Sequence, residues 1–212
     1  MKKTMIIVSV LVSAVCTPAI AGFTRIISNT YEYGVILRNN ESLLVTGGGA
    51  DQVECRDYSY VEVKGTTSPL QLDVGGIFVL DLMNNSHMTF YNGEVGAFTI
   101  WNQAQAVFKG GRIDYISSYQ TVPDVFVGYN EQGEPIFDKF RHIEMFVKSY
   151  LYNPTTTTLT GTWADNSTFA IKLLNQAGYD PVIDNIQFIL VPEPATVCLL
   201  VLGGLFVNRM DG

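Results

Sequence analysis

Seven side chains hold most of the chemical promise of this chain: His87, His142, Cys55, and the carboxylates Asp73, Asp81, Glu94 and Asp114. The chain has two histidines, and neither has a second histidine or a cysteine at ligand spacing, so no zinc site can be assembled around them. His87 falls in a repeat whose sister copies carry Tyr60 and Gln105, which assigns it an outward position. His142 reads as an ordinary surface or turn histidine. The four acids lie in or beside repeated segments and could face one groove, where a pair about 5 to 10 Å apart would suit glycoside hydrolysis. No G-x-S-x-G elbow supports a serine nucleophile. The glycine-rich VTGGGAD (45–51) lacks the Lys-Ser/Thr ending of a phosphate loop and reads as a turn. Asp165-Asn166, Asp180 and Asp184-Asn185 could offer calcium oxygen ligands, but turn residues of this kind are common. The expectation is no catalytic residue, no metal and no cofactor. Among the aromatics, Phe90 and Phe108 occupy equivalent inward positions and belong to the core. Tyr91 and Trp101 are the candidates for exposed carbohydrate contact.

The elements that must position these residues repeat. NSHMTFYNGEVGAFTI (85–100) aligns with QAQAVFKGGRIDYISS (103–118), placing Ser86, Met88, Phe90, Gly93, Val95 and Ile100 opposite Ala104, Ala106, Phe108, Gly111, Ile113 and Ser118. A looser copy, YSYVEVKG with VGGIFVLDL, gives Ser59, Val61, Val63, Gly76 and Phe78 the same parts, with TTSPLQLD inserted between them. LLVTGGGADQVEC (43–55) resembles an imperfect first copy. Each unit is a short alternating strand, a glycine turn and a second short strand. A period near 18 predicts an all-β chain built on a short β-solenoid of three to four turns, in which each turn buries its apolar face only by stacking on its neighbours. A β-sandwich with glycine turns is the alternative. The repeat region is expected over 22–118, followed by an irregular loop over 119–140 that holds prolines, acids and glycines. The alternating RHIEMFVKSYLYN and the strands after it predict an antiparallel β lobe over 141–190.

Charge narrows the partners. The chain has 13 Lys and Arg against 20 Asp and Glu, a formal net charge of −7. Nucleic acid is excluded, because binding it requires Lys and Arg to neutralise phosphates.

The two ends differ from the body. Lys2 and Lys3 precede an apolar run and then Ala19-Ile20-Ala21, the order of a secretory signal peptide over 1–21, with cleavage by signal peptidase after Ala21. Cys16 would leave with it and Cys198 lies in the tail, so Cys55 stands alone in the body and has no intramolecular disulfide partner. At the other end an apolar run from Ala195 to Val207 would cover only about 20 Å as a helix, short of a hydrocarbon core about 30 Å thick. Pro192 and Pro194 fix an extended stretch ahead of it.

Val191-Pro192-Glu193-Pro194, the apolar run and then Arg209 resemble the PEP-CTERM sorting signal, here spanning 191–212. The arginine cluster of that family is represented by Arg209 alone. The resemblance implies recognition by an exosortase-like membrane protease and transient inner-membrane association of the tail. It further implies delivery to the cell surface or extracellular matrix, with exopolysaccharide as a partner. A structural or adhesive role, without catalysis, is the expectation. The alternative is a carbohydrate-active enzyme or carbohydrate-binding module on the same scaffold.

Overall fold

The computed structural model describes residues 22–65, 74–130 and 132–192; the segment 1–21 read as a signal peptide, the TTSPLQLD insertion with Asp73, and Glu193, Pro194 and Arg209 lie outside them. The chain is all-β. Its strands stack as five coils: β1 (Arg25–Ile27) with β2 (Tyr31–Leu37), β3 (Ser42–Val45) with β4 (Gly48–Cys55), β5 (Tyr60–Lys64) with β6 (Val74–Leu82), β7 (His87–Asn92) with β8 (Glu94–Trp101), and β9 (Gln105–Phe108) with β10 (Arg112–Tyr119). Every strand pairs in parallel with its equivalent one coil away, so odd strands form one lane and even strands another. Partners are 18 residues apart at most steps, as in Arg25 with Leu43 and Phe90 with Phe108. The step from Val61 to Met88 takes 27, and the surplus is the insertion between β5 and β6.

The coil number exceeds the expected three to four. The first coil escaped recognition because two of its inward positions are charged. Arg25 continues the column of Leu43, Val61, Met88 and Ala106, and Glu32 continues that of Ala50, Ile77, Val95 and Ile113. In the loose copy the register also differs by one residue: Gly76 pairs with Glu94 and Ile77 with Val95, so Phe78 points outward and is mostly exposed. The tandem Gly75-Gly76 conceals this slip from any alignment by glycines.

Each even strand bends once. The inward residues on either side of the bend are three apart, as with Ala50 and Val53, Ile77 and Leu80, Val95 and Phe98, or Ile113 and Ile116. Another corner joins each even strand to the next odd one. There Asn39, Asp57, Asn84 and Asn102 all adopt positive φ, between 55° and 60°. Asn and Asp tolerate that conformation because their short polar side chains bond locally. These side chains also bond along the solenoid: Asn84 Nδ2 donates to Asp57 Oδ1 at 3.3 Å, and Asn102 Nδ2 to Asn84 Oδ1 at 3.2 Å. The interior is mostly apolar, with Ser59 and Ser86 buried beside the corners, and Phe90, Phe98 and Phe108 interlock edge to face in the fourth and fifth coils.

After the fifth coil the two lanes are joined across the end. β13 (Ile143–Asn153) continues the odd lane from β9, and β15 (Thr168–Leu174) continues the even lane from β10. β14 (Thr158–Trp163) lies antiparallel between them, and β16 (Ile186–Leu190) pairs with β13. The antiparallel lobe thus belongs to the same sheet and caps the solenoid. Trp163, fully buried, donates Nε1–H to the Gly111 carbonyl at 2.9 Å.

Under this cap sits a polar plug. Asn185 Oδ1 accepts from the His142 backbone N–H at 2.8 Å, while its Nδ2 donates to Ser118 Oγ at 3.0 Å and to Gln120 Oε1. Gln120 Nε2 in turn donates to the Asn102 carbonyl at 2.7 Å. His142 is only 2 % exposed, contrary to the surface position expected, with Nδ1 at 3.2 Å from the Ala104 carbonyl. Its burial depends on Asn185, 43 residues away, which no local pattern reveals.

The segment 119–140 is not the irregular loop expected. β11 (Asp124–Tyr129) and β12 (Pro135–Lys139) form an antiparallel hairpin, separate from the main sheet. Asn130 Oδ1 organises its turn by accepting from the Gln132 and Glu134 N–H groups at 3.0 and 2.8 Å. Pro135 opens a strand, where a missing donor is tolerated.

Candidate functional site

Of the residues singled out for chemistry, Glu94 and Asp114 are brought together, at Arg112. Arg112 lies between Glu94, at 3.2 Å, and Asp114, at 3.0 Å, so these two acids are tied to one guanidinium. Asp81 sits five residues beyond Gly76, the register partner of Glu94, and there accepts from Gln52 Nε2 at 3.3 Å. His87 is exposed on the outer odd lane, between Tyr60 and Gln105 in register. No group of three or more His, Cys, Asp or Glu able to hold a metal ion occurs among the described residues. Cys55 is fully buried, and burial pushes its thiol well above the ordinary range, which leaves it chemically inert while folded.

Tyr91 and Trp101 both have occupied faces. The Tyr91 ring lies between Lys64 Nζ, at 5.1 Å, and Lys109 Nζ, at 4.8 Å. Lys109 also reaches the Phe146 ring at 5.5 Å. Trp101 stacks flat on Tyr119, with centroids 3.7 Å apart and planes within 2°, and Tyr119 meets Tyr179 edge to face. These are ladders along the solenoid, each ring supported by the next coil. Tyr119 covers one face of Trp101, and Tyr91 keeps 37 % exposure beside the two lysines.

No protein family matches this chain, and neither does any curated protein or solved structure.

Among the described residues, the largest concentration of exposed apolar side chains lies elsewhere, on the hairpin. Val125, Phe126, Val127, Tyr129, Ile136 and Phe137 are between 42 % and 69 % exposed. Phe126 gathers Tyr129 at 5.1 Å and Phe137 at 6.0 Å into an aromatic cluster. Two strands alone are marginally stable in water, and clustered apolar exposure of this kind marks an interaction surface. Ion pairs hold the root of this arm, Lys139 with Asp124 at 3.1 Å and Arg141 with Asp138 at 3.3 Å. Sequence reading missed the arm, although the run VFVGY was its signal.

Of the segment read as a sorting signal, Val191 and Pro192 are described. The Val191 N–H donates to the Val147 carbonyl at 2.9 Å, extending the pairing of β16 by one residue. Pro192 has no N–H to continue the ladder. Strand pairing therefore ends at Val191, at the capped end of the solenoid.

Proposed function

We propose that this is an exported protein of the cell surface or extracellular matrix, with a structural or adhesive role, routed there by its Pro-Glu-Pro tail. The observation that carries the reading is the arm: a rigid stacked body holds out an apolar hairpin that nothing in the described chain covers. Such a surface serves contact rather than turnover.

Two measurements test this. Intact mass of the protein from the surface fraction of the producing cells is expected to lack residues 1–21 and the tail from about Pro192. Retention of both ends would remove the sorting argument. Adhesion of the purified protein to its own matrix is expected to fall at least tenfold in Phe126→Ser/Phe137→Ser, with the melting temperature unchanged. Undiminished adhesion would mean the arm is not the contact surface.

A further inference from the structure

The two ends of the solenoid are finished differently. The last coil is closed by β13–β15 and by the plug around Asn185. Among the described residues the first coil has no such cap: β1 and β2 are the two termini of the strand order, and no described strand pairs with the outward edges of β1 or the Val35–Leu37 half of β2. Exposed Ile26 and Ile36 border that edge. No proline or lysine lies between Phe23 and Leu37, so what guards this edge is the shortness of β1 and the inward charges of Arg25 and Glu32.

What closes the core at this end is the ion pair of Arg25 with Glu32. The column positions it occupies hold Leu43 and Ala50 one coil deeper, both fully buried. One cation and one anion lie side by side across the mouth of the coil, with side chains 41 % and 23 % exposed. An apolar end presented by some other protein would have to bury that pair without compensation, which is costly. A second copy, turned by a two-fold axis, meets it differently. Arg25 of each copy then lies over Glu32 of the other, completing an alternating square of charges. The free main-chain edges of the two first coils face each other at the same time.

We infer that the first coil is a homophilic contact surface, through which two copies join head to head into a closed dimer. Stacking stops at two, because both outer ends of the dimer are capped. The inference rests on export with removal of residues 1–21, which frees the edge. It also deepens the adhesive reading: the tail leaves from the capped end and the contact lies at the opposite end. A surface-held copy then presents its first coil outward, towards a copy held on a neighbouring surface.

The test uses protein secreted by an exporting host, with intact mass defining the first residue and sedimentation equilibrium the assembly. Chains beginning at Gly22 are expected to sediment with twice the mass of one chain. Arg25→Glu and Glu32→Arg variants are each expected to sediment as single chains, because each sets like charges over like. An equimolar mixture of the two is expected to regain the doubled mass as a heterodimer, which also shows that both variants fold. Wild-type chains that start at Gly22 and remain single overturn the head-to-head contact alone. A mixture that remains single overturns the charge pairing. Chains that retain residues 1–21 overturn the export reading, and the contact with it.

Discussion

Replacing Gly111 with alanine tests the stacking register at a single atom. Gly111 sits at φ +83°, and an added Cβ would lie 2.4 Å from Cε1 of the buried Phe90 ring and 2.9 Å from the Gly93 carbonyl oxygen. Gly133, in the turn of the arm, has nearly the same φ of +79° with nothing within 4 Å. Both substitutions incur the left-handed penalty of about 1 kcal/mol. Only Gly111→Ala also displaces a ring locked between coils, an overpacking cost of about 2 kcal/mol. The total for Gly111→Ala is then about 3 kcal/mol, a fall in melting temperature of about 6 to 12 °C for a body of this size. Urea unfolding followed by circular dichroism and tryptophan fluorescence measures the difference. Equal midpoints for the two variants would refute the reasoning, because Phe90 could not then stand over the corner of the fifth coil.

Three further outcomes follow from neighbouring features. Burial lowers the His142 pKa below its ordinary 6.5, so the unfolded chain takes up the proton first; stability is whole above that pH and drains away below it. His142→Gln is expected to flatten the decline in urea midpoint between about pH 7 and 5, and an unchanged slope would count against burial. Asn102 holds φ 57° and bonds to Asn84, so Asn102→Gly is expected to cost about 0.5 kcal/mol and Asn102→Ala about 1.5 kcal/mol, reversing their usual order away from corners. Cys55, in a chain with Cys16→Ser and Cys198→Ser, is expected to resist a thiol reagent until urea unfolds the coil; rapid native labelling would contradict its burial.

The repeat itself was legible in the sequence because inward positions recur every 18 residues with apolar side chains, as Phe90 and Phe108 illustrate. It stopped being legible where a core column carries something else. Arg25 and Glu32 hide the first coil for the reason that gives that coil its exposed end. Tandem glycines hide the register of β6, because a residue without a side chain marks no face. His142 and Asn185 belong to a plug assembled from distant loops, and only the closed cap brings them together. The arm escaped because its apolar side chains lie on both faces, so VFVGY and PIF carry no alternation to read. Tyr91 and Trp101 meet neighbours from other coils, Lys64, Lys109 and Tyr119, which no local pattern around them shows.

The stacking of coils also fixes how the molecule bears load. Its strands run across the solenoid axis and the hydrogen bonds between coils run along it. A pull between the first coil and the capped end at Val191 therefore strains those bonds in series, one rung after another, rather than all together. A coil of 18 residues occupies about 4.8 Å of the folded length and about 60 Å once drawn out. Each rung that lets go thus pays out more than ten times its own thickness while the remaining rungs stay shut. Tethered at one end and gripped at the other, the chain would lengthen in discrete steps and absorb work at each one.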